Sequence, residues 1–360
     1  MSERPVAGTA VVASAPVRVA DVGGWTDTWF GSPGQVCHLA VGPGVEVEAR
    51  LVPGSAIRLH APAVEAVAYQ VAPSSEHGWA RPLPGRHPLL EHAIAAVVEP
   101  LAPLACGVEV AIRSEVPPGA SLGTSASVVV ALLGALDALL AGGGRSPGDL
   151  ARLAHRVETE RAGRQSGVQD QWAAAMGGAA LLAIGPYPDV RHRALDVPPA
   201  ALADLDERLV TVVFGSHDSS AVHRKVIDAL VTCSGVEHHR AREALRTLSS
   251  LAVEAAAALG EGDVRRWAGI LTRSVDAQDA LQDGLVGPRH RAAIDVAHRL
   301  GCAGWKVNGA GGEGGSLTVV LGDRDTSATY DELAEAFDRV DPTWPVLRLR
   351  PSPGLVVHPA

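Results

Sequence analysis

The chain has 360 residues with 47% hydrophobic content, a length that exceeds one ordinary core and predicts two domains. Its formal net charge is -9 and its pI is near 5.9, which argues against a nucleic-acid or membrane-surface binder, because either needs a basic face. A local basic pocket for an anionic substrate stays open.

In chain order, TAVVASAPVRVADVG reads as one or two strands followed by a turn at Gly23 and Gly24. VEVEARLV from Val45 and GVEVAIRSEV from Gly107 alternate with period two, as strands with one exposed face do. The loop PPGASLGTSAS, Pro117 to Ser127, precedes an apolar run, SVVVALLGALDALLA, that is too long for an ordinary strand and predicts a buried helix. SPGDLARLAHRVETERAG predicts a second helix, with Ser146 as its cap, Pro147 in its first position and Gly163 as its stop. SGVQDQWAAAMGG follows, then a strand, AALLAI. The stretch DVPPAALADLDE is the candidate domain boundary. Beyond it come a strand, RLVTVVFGS, helical patterns over 237–260, 263–283 and 288–300, the segment GWKVNGAGGEGGSLTVVLGD, and a last helix near 330–338.

Four scattered cysteines, Cys37, Cys106, Cys233 and Cys302, contain no C-x-x-C pair; no zinc or redox motif is supported, and a reducing cytoplasm is the simple expectation. The N-terminus is a poor signal peptide, and VVVALLGALDALLA is short for a membrane span and carries Asp137.

The loop Gly119–Ser127 lacks the lysine of a Walker-type phosphate loop. Lysine is not physically required, since a helix N-terminus offers unpaired N–H groups and a partial positive charge, and glycines let a phosphate approach them. Thr124 and Ser125 add hydroxyls for phosphate oxygens or Mg²⁺. The same residues also suit a plain helix cap. Downstream, Glu158 and Asp170 can divide the two carboxylate tasks of a kinase, one holding a metal and one orienting or deprotonating a hydroxyl. A solvated helix face and a helix cap are the alternatives. Arg18 lies on a strand before Gly24, Trp25, Thr26 and Asp27, a turn that suits sugar hydroxyls or is simply structural. Gly309, Gly311 and Gly314 spell G-x-G-x-x-G, but a strand follows them rather than a helix, so a dinucleotide fingerprint fails its context.

Four segments in order then resemble the GHMP kinase family: PPGASLGTSAS its phosphate loop, KVNGAGGEGGSLTVVL its C-terminal glycine motif, APVRVADVGGWTDT the N-terminal motif of its sugar-kinase branch, and VETERAGRQSGVQDQWAAAMGG the segment with the catalytic aspartate. The nearest pattern is that of heptose 7-phosphate kinases and of the kinase part of L-fucokinase. The resemblance implies an α+β, two-domain fold: a ribosomal protein S5 domain 2-like domain over 1–204, a ferredoxin-like α/β domain over 205–360, and the active site in the cleft between them. It implies ATP and Mg²⁺ as cofactors, with ATP held by Pro118, Gly119, Ala120, Ser121, Leu122, Gly123, Thr124, Ser125 and Ala126 and the metal by Ser125 and Glu158. Asp170 would be the catalytic aspartate with Arg18 beside it. Gly24, Trp25, Thr26, Asp27 and Asp170 would bind substrate, with Gly309, Ala310, Gly311 and Gly312 as the supporting glycine loop.

Asn308, Glu313, Thr124 and Trp25 depart from the usual pattern. The implied activity is transfer of the γ-phosphoryl group of ATP to a sugar hydroxyl, at the anomeric C1 position of a heptose 7-phosphate or a related sugar. An L-fucokinase- or galactokinase-like reaction on a free sugar is the alternative, and a non-catalytic sensor is the alternative of another class. His217, His223, Arg224 and Lys225 border the acceptor or form a solvated helix start. Partners are expected to be a small sugar or sugar phosphate, with no nucleic acid or membrane, and the chain a cytoplasmic monomer or homodimer.

Overall fold

A computed structural model describes residues 8–54, 57–61, 68–71, 88–101, 106–216, 219–323 and 328–360; His217 lies outside the described residues. The spine of the first sheet is the long strand β2 (Gly34–Val52), paired antiparallel along one edge with β1 (Ala10–Val22). Its other edge is shared by β6 (Ala179–Ile184), β12 (Arg350–Pro351) and β5 (Gly107–Ser114). β3 (Ile57–His60) and β4 (Ala68–Val71) extend the sheet beyond β5, β7 (Val190–Ala194) extends it beyond β6, and β13 (Val356–Pro359) lies outside β1.

The burial of β2 shows why its sequence changes character midway. From Val45 to Leu51 the valine, alanine and leucine side chains are buried, while Glu46, Glu48 and Arg50 between them face outward. That half has one covered face. From Val36 to Val41 every residue is buried, because helices pack on both faces there. One face carries α1 (Pro88–Val98), α2 (Thr124–Ala141), α3 (Pro147–Arg156) and α4 (Gln169–Met176). The other meets α7 (Val236–Glu261).

At 18 residues α2 is long and apolar enough to cross a membrane, longer than the apolar run alone indicates. It is nonetheless the central core helix, buried without a break from Ala126 to Asp137. Asp137 is paired with the Arg145 guanidinium and accepts the Arg145 N–H at 3.1 Å. Ser146 caps α3 as expected, accepting the Asp149 N–H. The helix does not run regularly to Gly163: Val157–Arg161 form one turn of π-helix, which carries Glu158.

The expected boundary stretch is partly helical, α5 (Pro199–Arg208). The second sheet has the order β11–β8–β10–β9, all antiparallel: β8 (Leu209–Gly215), β9 (Gly304–Val307), β10 (Gly315–Val320) and β11 (Val346–Leu347). α8 (Val264–Leu281), α9 (Pro288–Arg299) and α10 (Tyr330–Val340) pack with it, and α6 (Ser219–Ile227) follows β8. One apolar cluster runs from Val17, Cys37 and Leu39 of the first sheet through α7 and α8 to Leu209 and Val213 of the second. The two sheets therefore share a core. β12 and β13, the last strands, return to the first sheet.

Candidate active site

A cleft of about 280 Å³ opens where the end of β1, the loop Gly119–Ser125, the segment Arg164–Asp170 and the β9–β10 turn converge. Arg18 sits at its floor, 3% exposed. Its Nε donates to Asp170 Oδ1 at 2.8 Å and its Nη2 to Asp170 Oδ2 at 3.3 Å, a two-point grip on one carboxylate. Its Nη1 donates to the Ser121 carbonyl. Burial alone would lower the Arg18 pKa, but Asp170, Asp21 and Asp27 together outweigh that and raise it.

Backbone conformation aims these groups. Ser121 has φ of +56°, a left-handed geometry unusual for a residue with a side chain, and its carbonyl meets Arg18. Gly123 (φ +75°) precedes α2, and a Cβ there would stand 3.2 Å from Asp170 Cγ, so the carboxylate packs directly on the glycine loop. Thr124, Ser125 and Ala126 begin α2, where backbone N–H groups have no acceptor within the helix.

Asp27 is 2% exposed and accepts the Gln169 N–H at 3.0 Å. Burial, and then the negative charge of Asp170, raise it to about 6, against the pull of the Gln169 hydrogen bond. Gly167 is obligatory beside it, since a Cβ would lie 2.0 Å from Asp27 Oδ2. Glu158 is buried on the π-turn, with Oε2 accepting from Gln171 Nε2 at 3.0 Å. Among the described residues its Oε1 has no hydrogen-bond partner, nor has the buried Thr124 Oγ1 at the same cleft. Burial first and Asp170 second raise Glu158 to about 7.

The structure thus brings Arg18, Asp27, Ser125, Glu158 and Asp170 to one cleft, with Trp25, Gly119 through Thr124, Gly309 and Ala310 also lining it. Trp25 is both core and wall: it is 5% exposed, its ring centroid 4.9 Å from that of His223 and 6.2 Å from that of Phe30. Thr26 does not line the cleft; its hydroxyl lies 2.7 Å from the Gly23 carbonyl and 3.0 Å from that of Gln35, holding the turn. Gly24 and Ala126 are buried outside the lining, as are Gly311 and Gly312, which pack on the chain at Leu285 and Gly287, and Pro118 is exposed and does not line the cleft. Of the basic residues near α6, His223 reaches the cleft, whereas Arg224 and Lys225 do not line it.

Gly309–Gly314 joins two antiparallel strands, so the dinucleotide fingerprint is absent in structure as in context. Asn308 is buried and bridges the sheets, donating to Ser316 Oγ and Thr318 Oγ1 and accepting the Ala20 N–H at 3.2 Å. Glu313 is exposed and outside the cleft lining. Sequence reasoning passed over Asp21 and Lys306, both buried beneath the Gly309 turn. The one signal for Lys306 was its rarity, as one of two lysines in the chain.

Chemically, the site joins a helix N-terminus suited to phosphate, a carboxylate–guanidinium pair touching that loop, and a partnerless buried carboxylate oxygen. Residues 89–178 match the model of the GHMP kinases N terminal domain. A mevalonate kinase of Pyrococcus horikoshii is 28% identical over 231 residues, covering 63% of this chain and 64% of that protein. A galactokinase of Roseiflexus sp. is 28% identical over 281 residues, covering 69% of this chain and 70% of that protein. The chain spans less than two thirds of the length of the mevalonate kinase it matches. In three dimensions it superposes on a D-glycero-D-manno-heptose 1-phosphate kinase from Bacteriodes thetaiotaomicron with a TM-score of 0.72 and 20% identity, over 97% of this chain and 98% of the other. The fold agrees as fully with the mevalonate kinase of Methanococcus jannaschii, with a TM-score of 0.72 at 15% identity over 98% of this chain and 100% of the other. Residues 89–178 thus match the GHMP kinases N terminal domain, and the α+β fold agrees with that of these kinases over nearly the whole chain.

Proposed function

We propose that the chain is an ATP-dependent kinase that transfers the γ-phosphoryl group to a hydroxyl of a small sugar or sugar phosphate. The observation that carries this reading is the Arg18–Asp170 pair seated against Gly123 of the glycine loop, in one cleft with Asp27. In this reading the N–H groups at the start of α2 hold the donor phosphates. Asp27 and the Trp25 wall hold the acceptor. Asp170 takes the proton of the attacking hydroxyl, and Arg18 fixes the Asp170 carboxylate and offsets charge on the transferring group. Positioning and electrostatics then supply most of the acceleration.

The residues fit a divalent cation beside the nucleotide. Glu158 Oε1 and Thr124 Oγ1 are buried without hydrogen-bond partners among the described residues, and a cation would remove the cost of burying the Glu158 charge. Glu158 and Ser125 would hold Mg²⁺, which supplies neutralisation of phosphate charge when bound. Residues 1–204 would form the ATP- and sugar-binding half and 205–360 the second half, with β12 and β13 contributed back to the first sheet.

For the acceptor, the GGWTD turn and the likeness to a heptose phosphate kinase support the anomeric hydroxyl of a heptose 7-phosphate; a free sugar such as galactose or L-fucose is the alternative. The test is a phosphotransfer screen with ATP against free sugars, sugar phosphates and mevalonate, with NMR to locate the new phosphate. Turnover of mevalonate alone would overturn the sugar reading. ATP binding without turnover of any acceptor would favour a sensor.

A further inference from the structure

Lys306 is 2% exposed, and an ammonium group is expensive to bury without partners. Its Nζ donates to Gln278 Oε1 at 2.9 Å and to the Val307 carbonyl, and lies 3.8 Å from Asp21 Oδ1. Asp21, 1% exposed, receives the Gly309 N–H at 3.0 Å on Oδ2 and 3.2 Å on Oδ1. Gln278 Nε2 donates to the Gly309 carbonyl at 3.1 Å. Both backbone polar groups of one glycine are therefore tied to groups that meet at Lys306. The same glycine, at φ +60°, presses on the phosphate loop: a Cβ there would lie 3.0 Å from the Ser121 carbonyl oxygen and 3.2 Å from Arg18 Nη2.

Neighbouring bonds run the same way. Asn308 accepts the Ala20 N–H, and Ser316 Oγ donates to the Ala120 carbonyl at 2.6 Å. Ala20, like Ser121, is a non-glycine residue with positive φ, at 55°. It lies within the irregular pairing between Val19 and Val22, next to the carboxylate that reaches Gly309. The strained end of β1 and the β9–β10 turn are thus clasped together behind the loop at the start of α2.

We propose that Asp21 and Lys306 form a buried positioning pair that fixes the Gly309 turn against the phosphate loop and thereby sets affinity for the donor nucleotide. The proposal rests on the kinase reading for the identity of that ligand. Lys306 stands outside the cleft lining and Asp21 is part of it, and the role assigned to both is positioning rather than proton transfer. Their effect passes through Gly309 to Ser121 and Arg18, so it falls first on the nucleotide side of the cleft.

The test uses the full chain, wild type against Lys306→Met and against the double variant D21N/K306M, which leaves neither charge of the pair buried. Binding of a non-hydrolysable ATP analogue is followed by calorimetry, backbone exchange over 308–312 by mass spectrometry, and folding by thermal melting. Lys306→Met is expected to weaken analogue binding about tenfold and speed exchange over 308–312, with the acceptor KM moving less than about twofold. The double variant is expected to melt closer to wild type yet keep the weakened binding, and it carries the comparison if the single variant does not fold. Analogue affinity within about twofold of wild type in the folded double variant would overturn the proposal, as would equal losses for nucleotide and acceptor. A wild-type chain that binds the analogue but phosphorylates nothing sinks the kinase reading alone, and one that binds no nucleotide overturns both.

Discussion

Glu158→Gln removes a carboxylate that is 5% exposed while leaving an oxygen to accept from Gln171. Burial is the main reason that Glu158 rises from 4.5 to about 7; the charge of Asp170 adds to it, and Ser166, Arg164 and Gln171 oppose it. The folded chain therefore binds this proton more tightly than the unfolded chain. Its contribution to stability is fully present below pH 4.5 and is lost as the pH rises through about 7. The loss levels off at about 3 kcal/mol in mildly alkaline solution. The amide that replaces the carboxylate does not titrate, so the variant should match wild type in acid and exceed it by up to about 3 kcal/mol near pH 8. Urea denaturation of both proteins, stepped from about pH 4.5 to 8.5 without metal or nucleotide, measures the difference directly. Magnesium with an ATP analogue should then stabilise wild type more than the variant at alkaline pH. A variant no more stable than wild type at about pH 8, or a difference that does not vary with pH, would refute the buried carboxylate as the origin of the effect.

Asp170→Asn should lower phosphoryl transfer by about 10³-fold with nucleotide binding kept within a few-fold, as read by single-turnover kinetics and calorimetry; near-normal turnover would point to a base-free reaction. Arg18→Lys keeps the charge but cannot reproduce the two-point grip on Asp170 together with the bond to the Ser121 carbonyl, so kcat should fall by about 10²-fold. Gly167→Ala puts a methyl group 2.0 Å from Asp27 Oδ2 and should raise the acceptor KM by about tenfold with nucleotide affinity unchanged. Steady-state kinetics with each substrate varied in turn separates these two outcomes.

The elements that sequence reasoning placed well are those held by local chemistry. Ser146 and Pro147 begin α3 because capping and a fixed φ act within one turn, and α7, α8 and α9 follow their apolar periodicity closely. The turn at Gly309 was legible as strand–loop–strand because Ser316–Val320 is β-branched and apolar. The unread elements depend on distant partners. β7 and β13 are short and largely exposed, and exist because β6 and β1 offer edges to pair with. At the cleft, glycine spacing pointed to the right loops, but Asp21 and Lys306 are 285 positions apart, and only the packed fold brings them together. Thr26 shows the converse: a hydroxyl in the right segment whose partners, Gly23 and Gln35, turn it away from the cleft.

The return of the last strands to the first sheet bears on how the chain can be made. β13 pairs Val356–Pro359 with Val11–Ser14, and the turn at Gly177 meets Pro353 and Gly354 so closely that a Cβ on Gly177 would lie 1.9 Å from the Gly354 nitrogen. A ribosome releases residues 10–194 long before it releases 350–360. During that interval the outer edge of β1 is unpaired, and β1 is the strand that carries Arg18. The sheet of the first half therefore closes only after the second half has emerged, and loss of β13 would leave the Val11–Ser14 edge of β1 open to intermolecular pairing.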